Sequence, residues 1–126
     1  MDQFHGRSLT NPRGGRRIRA RDKRAYEVGG YFAAPKVSEE KKKDTKRKRG
    51  GTTKIKLKNV THANVEKEKG KFTKSKILKV LTSPDNRNYS RQGLVTKGAT
   101  INTELGEAIV TNRPSQDGVV NAKLKK

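Results

Sequence analysis

The sequence predicts a mainly β protein: a small closed or partly open β-barrel carrying a long, basic, largely irregular N-terminal extension. Three observations predict it. Aliphatic residues are unevenly spread, with four (Leu9, Ile18, Val28, Val37) in residues 1–51 and seventeen in residues 52–126. The second part alternates apolar and polar residues with period two, in short runs separated by Gly, Pro and Asp-Gly turn chemistry. The first part is dense in Arg and Lys and holds too little apolar surface to close a core. Residues 1–51 are therefore assigned as a basic extension and residues 52–126 as the barrel domain.

The extension is organised around GRSLTNPRGGRRIRARDKRAYEVGG, residues 6–30. It holds eight cations, Arg7, Arg13, Arg16, Arg17, Arg19, Arg21, Lys23 and Arg24, against Asp22 and Glu27. Seven of the eight are Arg, whose planar guanidinium forks two hydrogen bonds onto a phosphate and stacks on a base. Gly14 and Gly15 in its middle allow positive φ and close backbone approach to a bulky polyanion. So dense a run of like charge costs free energy unless something anionic lies beside it. The stretch reads as an arm that orders on nucleic acid rather than as a solvated tail. A short helix is expected over residues 21–28, closed by Gly29. Residues 30–37 contain Tyr31, Phe32 and Pro35 and read as an extended connection whose aromatics dock on the folded part. Residues 38–49, SEEKKKDTKRKR, are a charge run expected as frayed helix or coil. Lys46, Arg47, Lys48 and Arg49 before Gly50-Gly51 repeat the chemistry of the opening stretch. The spacing of a nucleotide phosphate loop, GxxxxGK[ST], is absent.

The barrel begins with TKIKLKNV, residues 53–60, where Lys54, Lys56 and Lys58 alternate with Ile55 and Leu57: a half-buried strand with a basic outer face. A turn is expected near residues 68–70. Phe72 opens a strand through Ile77, Leu78 and Val80. Residues 83–86, Ser-Pro-Asp-Asn, are loop chemistry. Leu94 and Val95 start another strand, with Lys97-Gly98 as a bulge or turn. Residues 101–110 read as a hairpin about Glu104-Leu105-Gly106. Asp117-Gly118 is a turn signal before a last strand through Val119, Val120, Ala122 and Leu124. Five or six short strands favour a barrel, because closure removes exposed edges; a two-sheet sandwich is the alternative.

Charge then narrows the partner. The chain carries 32 Lys and Arg against 12 Asp and Glu, a net +20 that points to a polyanion. Both parts share it: each carries 16 basic and 6 acidic residues, a net +10. The chain has no Cys, so disulfides, Cys-based zinc sites and thiol chemistry are excluded. MDQFHGRS has no apolar core of a secretory signal, and no apolar run approaches membrane-spanning length. No segment shows the apolar face of a membrane-surface helix, so no membrane partner is expected. His5 and His62 are far apart and stand in no ligand spacing, so no metal or other cofactor is expected. The pairs Glu39/Glu40, Glu66/Glu68 and Glu104/Glu107 lie among Lys or Gly and read as solvated spacers rather than acid–base pairs. No nucleophile looks activated, so neither an enzyme nor a small-molecule substrate is expected.

Several motifs then meet in one pattern: Gly6-Arg7-Ser8, Gly14-Gly15-Arg16-Arg17, Lys23-Arg24 with Tyr26-Glu27 and Gly29, Arg49-Gly50-Gly51, Ala63-Asn64-Val65, Lys97-Gly98-Ala99, Thr111 with Arg113-Pro114, and, most specific, Gln116-Asp117-Gly118-Val119-Val120-Asn121-Ala122. In these the chain resembles, over nearly its whole length, the eukaryotic-type small-subunit ribosomal protein number eight in its short archaeal form. The resemblance implies a β-barrel body with a basic extension, a structural place in the small ribosomal subunit of the cytoplasm, contact with small-subunit ribosomal RNA and neighbouring ribosomal proteins, and no catalysis. The expected RNA-binding residues are the eight cations of residues 7–24 with Gly14 and Gly15, then Lys46, Arg47, Lys48 and Arg49, then Lys54, Lys56 and Lys58. A free DNA- or chromatin-condensing protein is the alternative from a different class.

Overall fold

The computed structural model describes residues 6–18, 20–68 and 70–125. They fall into two compact units, within Met1–Phe32 and Ala33–Lys126.

In the first unit regular structure is sparse. Thr10 and Arg16 form an isolated antiparallel bridge. A single 3-10 turn spans Ala25–Glu27. The helix expected over residues 21–28 is shorter than that, because the chain is already extended at Arg24 (ψ 155°) and again at Val28 (ψ 123°).

The second unit holds eight strands and two short helices. A three-stranded sheet has the order β1–β3–β2, from Lys36–Val37, Thr53–Val60 and Lys42–Arg47. The strands β4 (His62–Glu68), β5 (Lys71–Thr82), β6 (Thr100–Thr103), β7 (Gly106–Val110) and β8 (Asn121–Leu124) form a closed barrel. Neighbours are antiparallel except at the seam, where β4 and β8 run parallel from Asn64↔Asn121 to Glu66↔Lys123. Closure decides against the two-sheet sandwich. The expected hairpin is β6–β7, with Thr103 opposite Gly106. Helix α1 (Arg87–Arg91) is capped by Asn86, whose Oδ1 accepts from the Asn88 N–H at 2.8 Å.

Three expectations shift. Residues 38–49 are neither helix nor coil: Lys42–Arg47 is β2, paired antiparallel with β3 from Lys43↔Leu57 to Arg47↔Thr53. Its sequence KKDTKR shows no apolar period, so the ladder of β3, not its own pattern, makes it a strand. The alternating segment β3 therefore belongs to the three-stranded sheet and not to the closed barrel. Leu94 and Val95 are buried, but Leu94 makes an isolated bridge to Lys36 rather than opening a strand.

The core follows from the alternation. Leu57 and Val60 of β3 join Val65, Ile77, Val80, Ile101, Val110, Val120 and Ala122 in one buried cluster. Buried polar side chains are satisfied within it: Thr103 Oγ1 donates to the Gly106 carbonyl at 2.8 Å and Thr61 Oγ1 to the Glu39 carbonyl at 2.9 Å. Helix α2 (Pro114–Asp117) ends at Gly118 in the left-handed region, φ 72°. An added Cβ there would stand 2.8 Å from Ile55 Cγ2 on β3, so both conformation and space require glycine. The same corner is clasped by side chains. Asp117 Oδ2 accepts from the Arg113 N–H at 3.0 Å and from Asn112 Nδ2 at 2.9 Å, and Asn112 Oδ1 accepts from the Asn121 N–H at 3.0 Å.

Candidate nucleic-acid interface

In the first unit the backbone makes a tight loop whose tip is basic. The Asn11 N–H donates to the Gly15 carbonyl at 2.8 Å, the Gly14 N–H to the Asn11 carbonyl at 2.9 Å, and the Arg17 N–H to the Leu9 carbonyl at 2.7 Å. Gly14 takes φ +81°, so one glycine of the pair makes the left-handed turn. Gly15 is absent from the left-handed region, and a Cβ there would meet Asn11 Nδ2 at an ordinary 3.7 Å. Arg7, Arg13 and Arg16 are exposed around the loop. Arg17 is half-buried and its Nε donates to Asn11 Oδ1. Arg19 lies outside the described residues.

Further along, Arg21 does not stand alone. It forks onto Glu27, Nη1 to Oε2 at 2.9 Å and Nη2 to Oε1 at 2.5 Å. The Arg24 N–H adds a third hydrogen bond to Glu27 Oε2 at 3.0 Å. The Arg21 hydrogen bond first, and the Arg24 N–H second, hold the Glu27 carboxyl below its ordinary pKa. Arg21 is raised by the same pairing. This ion pair ties Arg21 to the Ala25–Glu27 turn and neutralises one of the arm's cations, while Lys23 and Arg24 remain exposed.

The second cation run is a hairpin. Lys46 and Arg47 end β2, and Lys48 and Arg49 form its tip; all four are exposed. The Lys48 N–H donates to the Thr52 carbonyl at 2.7 Å, and Gly50 and Gly51 both lie at positive φ, 86° and 85°. Lys46 stands directly opposite Lys54 of β3. Like charges so placed repel, and an anion laid over the sheet would offset that cost. Lys54 and Lys56 are half-buried on this face. Lys58 is exposed but paired with Asp44 Oδ2 at 2.5 Å, so its charge is partly spent. The structure thus brings Lys46, Lys54, Lys56 and Lys58 to one sheet face.

Sequence reasoning missed a third cation group. Lys41, just before β2, shares its surroundings with Lys43 and with Lys74 of β5. Partial burial first, then the charges of Lys43 and Lys74, lower the Lys41 ammonium below its ordinary pKa. Only the β5 part of the group left a signal, in KFTKSKIL, where Phe72, Lys74, Lys76 and Leu78 share one period-two face; the approach of Lys41 and Lys43 left none. Among the described residues no group of three or more His, Cys, Asp or Glu is placed to hold a metal ion. No helix among them is long and apolar enough to cross a membrane.

Fold and charge together define a class: a small, strongly basic β-barrel protein whose cations gather on a turn, a hairpin and strand faces. Residues 4–125 match the family model described as Ribosomal protein S8e. The chain is 42% identical over 125 residues to the small ribosomal subunit protein eS8 of Sulfolobus acidocaldarius, covering 98% of each chain. It is 42% identical over 127 residues to that of Sulfurisphaera tokodaii, covering 100% of this chain and 99% of the relative. Against that of Nanoarchaeum equitans it is 48% identical over 107 residues, 84% of each chain. The chain belongs to the ribosomal protein S8e family. The family is one of structural ribosomal proteins, and its place is the ribosome, in the cytoplasm.

Proposed function

We propose that this chain is a structural constituent of the small ribosomal subunit that binds small-subunit ribosomal RNA, with neighbouring ribosomal proteins as its other partners and no catalytic role. The observation that carries the reading is the exposed, weakly compensated charge: Arg7, Arg13 and Arg16 around the Gly14 turn, and Lys46, Arg47, Lys48 and Arg49 on the β2–β3 hairpin. Each cation that meets a phosphate releases a condensed counterion, and that release drives association. The Arg side chains add bidentate geometry. Gly14, Gly15, Gly50 and Gly51 lack side chains, which keeps the backbone low where it meets the RNA surface. The Lys46, Lys54, Lys56 and Lys58 face supplies a flatter contact. Contacts of these kinds read shape, phosphate and 2′-hydroxyl rather than sequence.

The test is sedimentation of a tagged chain expressed in an archaeal host. The reading expects one copy per small subunit, retained at moderate salt and released at high salt. Recovery with bulk DNA, and no stoichiometric association with the small subunit, would replace it with the condensing-protein reading.

A further inference from the structure

The longest strand of the barrel spends apolar surface on the outside. Along β5, Ser75, Ile77 and Val80 point into the barrel, and Phe72, Lys74, Lys76 and Leu78 point out. Phe72 is 61% exposed and Leu78 55%, in a chain with only three Phe. The outward neighbours across β4 are Glu66 opposite Phe72, Asn64 opposite Lys74 and His62 opposite Lys76. Glu66 is engaged by Lys123 Nζ at 3.2 Å. Among the described residues no carboxylate pairs with Lys41, Lys43, Lys74 or Lys76.

The fold brings two of these lysines to β5 from another sheet. Thr61, between β3 and β4, donates its hydroxyl to the Glu39 carbonyl at 2.9 Å and accepts the Ile77 N–H on its own carbonyl at 2.9 Å. The chain leaving Glu39 towards β2 is thereby held beside the middle of β5, and Lys41 comes to share its surroundings with Lys43 and Lys74. Three ammonium groups with no carboxylate among them repel one another. Such a cluster beside an exposed aromatic ring suits a ligand with closely spaced negative charges and a flat π-face. An unpaired nucleotide strand has both; an acidic peptide has the charge without an obligatory ring. Phe72 and Lys74 lie two residues apart on one face, roughly 6.8 Å along the strand, so one nucleotide can reach both.

We propose that the outward face of β5 and the start of β2 form a binding site for unpaired RNA, in which Phe72 stacks on a base while Lys41, Lys43 and Lys74 hold the adjoining phosphates. The proposal rests on the ribosomal RNA reading above but assigns a separate surface, and it gives the barrel wall a preference that the arm lacks: single strand over duplex.

The test uses the full chain, its F72A variant and its K41Q/K43Q/K74Q variant. The probes are a single-stranded RNA 12-mer, an abasic 12-mer of the same charge and a duplex RNA. F72A is expected to weaken binding to the single strand about tenfold, as base–aromatic stacking implies, and to leave the abasic and duplex probes unchanged. The triple variant is expected to flatten the log–log salt dependence on the single strand by about 2, at roughly 0.7 per lost phosphate contact. Circular dichroism melting of both variants at the wild-type temperature shows that the barrel is intact. If both variants bind the single strand with wild-type affinity and slope, the proposal is overturned while the ribosomal reading stands. Unchanged RNA binding together with failed incorporation into small subunits overturns it too, and assigns the face to a protein neighbour. If the wild-type chain binds none of the three probes, both readings fall.

Discussion

The unit within Met1–Phe32 and the unit within Ala33–Lys126 hold their shapes by different means. In the first, partners are close in sequence: Thr10 with Arg16, Arg17 with Leu9, Arg21 with Glu27. Its contacts are polar and mostly exposed, where water or a phosphate can replace them. In the second, partners are distant: Asn64 Nδ2 donates to Asn121 Oδ1 at 3.1 Å across 57 residues, and Leu57 of β3 is buried in one cluster with barrel residues. The two carry similar densities of positive charge. Rigidity therefore comes from burial and from ladder hydrogen bonds, not from charge, and it decides how each cation can be used. A cation on the arm can follow an irregular surface at an entropic cost. A cation on a strand is preorganised but meets only phosphates that match its position.

The comparison predicts its own breaking points. The largest effect is expected from deleting residues 1–32, which removes eight cations without touching a described strand. On small-subunit ribosomal RNA the log–log salt slope should flatten by about 6 to 7 if all eight reach phosphates. The shortened chain should keep β-type circular dichroism and cooperative unfolding. Equal slopes before and after deletion would make the strand-borne cations the main binding surface. Next, Leu57→Ala should lower the unfolding free energy of the second unit by about 2 to 5 kcal/mol, since it empties a fully buried site, and denaturant titration measures it.

Glycine substitutions come third and sharpen the contrast within each unit. Gly118→Ala should cost about 1 to 3 kcal/mol for the left-handed conformation alone, and more for the clash with Ile55, read again from denaturant midpoints. In the arm, Gly14→Val should weaken RNA binding and Gly15→Val much less, because positive φ falls on Gly14. Equal effects of the two would show that the pair acts as a flexible spacer.

The smallest effect concerns pH. Glu27 has a depressed pKa, so the stabilisation from its pairing with Arg21 is fully present above its unfolded value near 4.5 and is lost as pH falls through the lower folded value. Arg21 stays charged throughout. Proton NMR of the Arg21 guanidinium should therefore show the paired signal at pH 6 and its loss in strong acid, while the barrel amides stay dispersed over the first part of that range. Glu27→Gln should show the unpaired signal at every pH.

Much of this was legible in the sequence, for reasons that also explain the rest. Leu57 and Ile101 alternate with polar neighbours, and alternation reports directly which face is buried. Gly106 and Gly118 marked real turns. Strand β2 left no such trace, because both faces of KKDTKR are polar and its pairing is supplied by β3. The parallel seam between β4 and β8 was hidden as well, since nothing local in Asn64 or Asn121 names a partner so far along the chain. The arm's cations were plain, but the pairing of Arg21 with Glu27 and of Lys58 with Asp44 was not, and those two pairs take up two of the expected binding cations. The convergence of Lys41 and Lys43 on Lys74 required the tertiary path through Thr61.

The seam also sets an order on synthesis. Strand β4 gains its second neighbour from Asn121–Leu124, with Asn121 lying 57 residues beyond Asn64, so translation exposes an open β-edge until that segment has been made. The arginine-rich arm precedes both strands in the chain, so it is made while the barrel still lacks its closing strand. A chain at that stage is a polycation with an unpaired β-edge. Any contact that covers the β4 edge at that stage keeps it from pairing with other copies.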